Sequence, residues 1–189
     1  APPSTELGLV LYPKVGLLDG RGAQNPWLQE LPDPISKTTW DNYACLSPRA
    51  ARGLGVTTGD VVRLTVSGDG AASPVTLPVL VQPGQDDRVL AVALGYGRIG
   101  TDRFTNIGPE WIEARPTVAP GGVVGVNVQP LVTLTDGALG YDTHSVQVDR
   151  TGERHQLAAT QDYNSLVVPE HLAPPRGEVR DAVRLVTFP

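Results

Sequence analysis

Proline and glycine interrupt this chain so often that no long helix can form. Its 189 residues include 18 Pro and 21 Gly. Proline inside a helix removes a hydrogen bond and clashes with the preceding turn, and glycine costs backbone entropy there. Yet 40% of the residues are hydrophobic and only 19% are charged, which is ordinary for a chain with a packed core. Short strands joined by many turns reconcile the two facts. The expectation is a mainly β, barrel-like domain with short connecting helices.

The apolar patterning places the strands. LGLVLYP (residues 7–13), WDNYACLS (40–47), VVRLTV (61–66), PVTLPVLV (74–81) and RVLAVAL (88–94) each read as a strand. A helical turn fits residues 27–31. In SPRAARGLG, Ser47 suits a helix N-cap, Pro48 the first helical position and Gly55 a left-handed stop, so a short helix is expected between them. Gly59-Asp60 makes the following turn. GGVVGVNVQPLVTL (121–134) has room for a further strand. THSVQVDRTGERHQLAATQ reads as a hairpin with Thr151-Gly152 at its tip, Arg150 paired with Glu153 and Val148 facing His155. Residues 1–161 are expected to form one domain. Residues 162–189, rich in Pro, read as an extended arm or the start of another region.

VLAVALGYGRIG carries the spacing G-x-G-x-x-G at Gly95, Gly97 and Gly100. A dinucleotide-binding turn needs an amphipathic helix after its third glycine, so that the helix N-terminus holds the pyrophosphate. Phe104, Ile107, Trp111 and Ile112 have partly helical spacing, but Gly108-Pro109, Pro116 and Pro120 break the run. No strand–helix–strand unit fits, and a glycine loop closing a strand is the simpler reading.

Several chemistries fall away. A net charge of −5 without a basic stripe argues against nucleic-acid binding. Cys45 is the single cysteine, so the chain forms no internal disulfide and holds no iron–sulfur cluster; a buried small hydrophobe is its expected role. No apolar run is long enough to span a membrane as a helix. His144, His155 and His171 lack the clustering of a zinc site, and the first two are expected on a hairpin surface. Ser67 and Ser165 lack the frame of a nucleophile elbow. Asp33, Asp41, Asp86 and Asp87 read as solvated turn formers. The result is no catalytic residue and no metal ligand. The absence of Met suggests a processed product or a piece of a longer protein.

DGRGAQNPWLQELPDPISKTTWDN is different. Two Trp, two Asn, two Gln and an Arg crowd a stretch with little periodicity, and such a loop is costly to order unless it packs or binds. Taken with SP-A-LGV-GD-V-R-L, then PV-VQPG, LGYGR and GVNVQPL, this order resembles the molybdopterin-dinucleotide-binding domain at the C-terminus of the dimethyl-sulfoxide-reductase family. NPWLQELPDPISKTTWDN, LGYGR and LAATQ are similar to the large iron–sulfur subunit of alternative complex III, whose molybdoenzyme-like region is thought to hold no molybdenum cofactor. The resemblance covers about residues 7–161.

The resemblance implies a double-psi β-barrel within a subunit of a membrane-associated respiratory quinol oxidoreductase, on the periplasmic side. The partners it implies are the other subunits of that complex and the remaining domains of the parent chain, with no direct membrane insertion of this domain. Iron–sulfur clusters would sit elsewhere in the parent protein. By position, Gly20 and Arg21 match a family loop that usually reads T-G-R, with Asp19 in place of threonine; Gly95, Gly97 and Asn127 fall on loops facing the same cofactor. No cofactor is expected in this fragment, because Asp19 sets negative charge beside a phosphate and side chains such as Trp27 or Tyr96 would plug the cleft. The alternative is a genuine site for molybdopterin guanine dinucleotide, with the cleft near Arg21, Gly97 and Asn127 open and polar.

Overall fold

The computed structural model describes residues 6–66, 73–103, 118–119 and 121–161. In chain order these form β1 (Glu6–Tyr12), α1 (Pro26–Glu30), β2 (Ala44–Leu46), α2 (Pro48–Leu54), β3 (Asp60–Val66), β4 (Val75–Val81), β5 (Val89–Ala93), β6 (Val118–Ala119), β7 (Val123–Val124), a 3-10 turn (Gln129–Leu131), β8 (Thr133–Thr135), β9 (Ala138–Gly140) and β10 (Asp142–Arg154). The fold is mainly β, as expected. Six strands are hydrogen-bonded in a closed barrel in the order β1-β10-β3-β4-β2-β5. Closure removes the exposed edges that would otherwise template association. Two pairs run parallel, β1 with β5 and β2 with β4; the rest are antiparallel.

Period-two alternation points one face of each strand into the barrel. Leu7, Leu9 and Leu11 of β1, Val62 and Leu64 of β3, Leu77 and Val79 of β4, Leu90 and Val92 of β5, and Val146 and Val148 of β10 fill the interior. Across the parallel β1–β5 pair, Leu9 lies opposite Leu90 and Leu11 opposite Val92. β2 is buried along its whole length, including Cys45. α2 caps the core through Ala51. Its N-terminus is held as expected: Ser47 Oγ accepts from Ala50 N at 3.0 Å and donates to Asp87 Oδ1 at 2.6 Å, while Gly55 adopts the left-handed stop.

The end of β10 corrects the hairpin expectation. β10 runs unbroken from Asp142 to Arg154, beside β1 and then β3. Thr151-Gly152 is a bulge: Arg150 pairs with Val62 and Arg154 with Asp60, and the register shifts between them. Gly152 takes a positive φ of 84°, and Thr151 Oγ1 donates to Val61 O at 2.9 Å. A glycine that permits a turn also permits the extra residue of a bulge. β3 decides between them by supplying a partner on both sides. The stretch 121–134 supplies β7 and the start of β8, which form short pairs, β6 with β7 and β8 with β9. The partly helical spacing at residues 104–112 and the arm at 162–189 lie outside the described residues.

Leu90 is fully buried against both parallel and antiparallel neighbours. Leu90→Ala is expected to lower unfolding free energy by about 2–5 kcal/mol, the range for a buried leucine that leaves a cavity. Denaturant unfolding of the two chains checks this; a loss within experimental error contradicts the packing described.

Candidate functional site

The aromatic loop, residues 13–43, folds back over one end of the barrel. Its buried side is polar and bonded. Gln29, 5% exposed, donates from Nε2 to Ala23 O at 2.6 Å and to Thr101 O at 3.0 Å. Asn42 donates from Nδ2 to Ala93 O at 3.2 Å and to Val126 O at 2.9 Å, and its Oδ1 accepts from Val126 N at 2.9 Å. Each amide therefore joins the loop to a distant segment. Leu18, Lys37 and Trp40 hold positive φ without being glycine. That conformation is unfavourable for such side chains and persists where surrounding contacts over-determine it.

Lys14 lies at the centre of this arrangement and is 4% exposed. Its Nζ donates to Tyr96 Oη at 2.9 Å and sits 5.7 and 5.5 Å from the ring centres of Tyr43 and Tyr96. Burial lowers the Lys14 pKa from its ordinary value, opposed by the carboxylates of Asp33 and Asp41. Burial also pushes Tyr12 up to about 12, and Tyr43 and Tyr96 higher still. The Cys45 thiol is raised to about 11, again by burial first, so it stays protonated at neutral pH. The three tyrosines and the thiol keep their protons near pH 7.

Two histidine and aspartate expectations change here. Asp33 and Asp41 are buried, at 9% and 2% exposure. Asp33 does form a turn, with Oδ1 accepting from Ile35 N at 3.0 Å and Ser36 N at 2.8 Å, but it does so inside the loop. His155 is not a hairpin-surface residue: its Nε2 lies 2.7 Å from Asp41 Oδ2. The short spacing of a local motif could not show a pair 114 residues apart. His171, Ser67 and Ser165 lie outside the described residues. Among the described residues no group of three or more His, Cys, Asp or Glu is placed to hold a metal ion, and no helix is long and apolar enough to cross a membrane.

The residues singled out by position do come together. Gly20 is seated against the Arg98 guanidinium, and a methyl added at Gly95 would meet Gly20 N at 2.9 Å and Leu18 O at 3.0 Å. A methyl at Gly97 would run into the backbone and Cβ of Asn127. Gly97 N also donates to Val124 O at 2.9 Å. All three glycines have positive φ. The close approaches that glycine permits are thus made to other parts of this chain. Arg21 turns back on Asp19, with Nε to Oδ1 and Nη2 to Oδ2 both at 2.9 Å. That two-pronged contact holds the Asp19 carboxyl well below the usual carboxylate range.

Beside them lies a cleft of about 580 Å3 lined in part by Leu18, Asp19, Arg21, Arg98, Gln129 and Tyr141. Arg98 Nη2 donates to Asp19 O at 3.1 Å. Trp27 does not plug it, being 80% exposed. A helix of five residues directs its buried side through Gln29 and leaves Trp27 outward. Tyr96 does not line it either: it is buried and packed with Leu17, Ala93, Tyr12 and Leu28. Arg21 is already engaged by an acidic neighbour, and the glycine faces are occupied by Arg98, Leu18 and Asn127.

No family model and no curated protein matches this chain. Among solved structures, acetylene hydratase from Pelobacter acetylenicus is similar at 15% identity and a TM-score of 0.49, over 76% of this chain and 18% of that one. This chain therefore spans less than a fifth of that protein's length, and a likeness at this level establishes neither fold nor function.

Gly97→Ala is expected to lower stability by at least about 2 kcal/mol, since it combines a positive φ with a backbone collision. Gly84→Ala keeps the positive φ but meets nothing within 4 Å, so it isolates the cost of φ alone. Paired thermal melts check the difference; equal losses contradict the apposition of Gly97 and Asn127.

Proposed function

We propose that this chain is a cofactor-free scaffold and subunit-interaction domain of a molybdopterin-oxidoreductase-like iron–sulfur subunit, within a respiratory quinol oxidoreductase. Its barrel is of the double-psi kind, a reading supported by the closed order of six strands with two parallel pairs. The observation that carries the functional reading is the internal use of the ligand-facing groups. Arg21 is held by Asp19, and Gly20, Gly95 and Gly97 are apposed to this chain's own atoms. A preformed phosphate site would leave such donors free for the ligand. The scaffold needs no catalytic residue, and electron transfer belongs to clusters elsewhere in the parent protein.

The interaction role is supported by the outer side of the loop. Trp27, Val15 and Ile35 are 80%, 69% and 71% exposed, and Leu31 packs beside Gly16, next to Val15. An exposed tryptophan is a common anchor of protein interfaces. The partners proposed are sister subunits of a membrane-associated complex on the periplasmic side. The second reading, a working site for molybdopterin guanine dinucleotide, is favoured by one observation, the cleft beside Arg21 and Arg98.

Denaturing the purified native subunit and assaying released pterin separates the two. The scaffold reading expects pterin far below one per chain; stoichiometric pterin overturns it. Trp27→Glu is expected to weaken retention of the subunit in its purified complex while shifting unfolding free energy by no more than about 0.5 kcal/mol, as for an exposed position. Unchanged retention contradicts the interface role.

A further inference from the structure

A second opening, of about 330 Å3, lies where β10 leaves the barrel and is lined in part by Asp41, Asn42, Gly125, Glu153, Arg154 and His155. Here the segment after β10 is fastened to the aromatic loop. Thr39 N donates to Ala158 O at 2.8 Å, and Thr160 N to Lys37 O at 2.9 Å. Thr39 Oγ1 donates to Ala158 O at 3.3 Å. His155 N, at the root of the segment, donates to Gly59 O at 2.7 Å. The side-chain tie at this root is His155 to Asp41, 2.7 Å apart, with the imidazole 22% and the carboxylate 3% exposed.

The surrounding charges favour a proton on that imidazole. The Asp41 carboxyl lies 2.7 Å from the imidazole and is itself buried. The other charged groups at the opening do not compete. Arg154 is held by Asp60 Oδ1 at 3.2 Å and donates to Thr58 O at 3.2 Å, and Glu153 is exposed.

We propose that His155 and Asp41 form a proton-operated latch, which fastens residues 156–161 to the aromatic loop when His155 is protonated and loosens them when it is neutral. The hydrogen bond to Asp41 raises the His155 pKa above its ordinary value, against the opposing effect of burial. A raised folded-state pKa means the latch contributes fully below the unfolded value, about 6.5, and is lost as pH rises through the folded value. Neutral imidazole still donates to Asp41, but without the charge that makes such bonds stronger.

The test is amide hydrogen exchange of Thr39 and Thr160 in the full 189-residue chain from pH 6 upward, corrected for the intrinsic rise with hydroxide. Loss of the charge is expected to speed both by about five-fold, with a midpoint matching the His155 ring titration read by NMR. His155→Gln keeps a donor but cannot titrate, so its corrected protection should not change over that range. The latch is overturned if the two chains share one pH profile, or if the His155 ring in the unaltered chain titrates at or below about 6.5.

Discussion

The Lys14 ammonium sets the conditions for everything around it. An ammonium removed from water costs several kcal/mol unless charges and hydrogen bonds replace its hydration. Here Tyr96 accepts from it, the rings of Tyr43 and Tyr96 flank it, and Asp33 and Asp41 supply opposite charge. These partners come from the loop and from the strand-end glycine turn. Satisfying one buried charge therefore fixes the loop against the barrel. The same demand explains why a stretch with little periodicity is ordered at all. Its apolar contribution is small, with Leu17, Ala93 and Tyr96 buried together, so its order rests on polar groups whose release would leave them without partners.

Once the loop is seated, the glycines follow. Gly95 and Gly97 lie where separate backbone segments meet with no room for a side chain, and Gly20 lies against the Arg98 guanidinium. A phosphate-cradling turn and an intrachain crossing make the same demand on sequence, because each needs positive φ and a missing Cβ. Only the occupant differs, and here the occupants are Leu18, Arg98 and Asn127. Asp19 adds to this by engaging the guanidinium that would otherwise face a phosphate. The cleft beside them has volume, but its cationic lining is already partly neutralised from within.

The barrel was legible because strands, caps and local turns are written in neighbouring residues. Alternation in LGLVLYP and VVRLTV, and the Ser47-Pro48 and Gly55 signals of α2, each depend on a few adjacent positions. The clustering of Gly20, Arg21, Gly95, Gly97 and Asn127 came from likeness in the order of short phrases. What escaped was tertiary. Thr151-Gly152 suits a turn or a bulge equally, and pairing with β3 selects the bulge. Trp27 reads as a large apolar side chain in want of cover, yet its short helix turns Gln29 inward. The pairing of Asp41 with His155, and of Lys14 with Tyr96, joins residues 114 and 82 positions apart. Neither pair has a spacing that sequence could display.

The central claim is that the loop and glycine turns are held by this chain's own buried polar groups, with no ligand needed. It is tested most directly by amide exchange at neutral pH in chain produced by a host unable to make pterin. Trp40, Gly97 and Val126 donate to Gln29 O, Val124 O and Asn42 Oδ1. The account predicts that these amides are protected to nearly the same degree as those of β5. Fast, unprotected exchange at these three positions beside a protected barrel would contradict it.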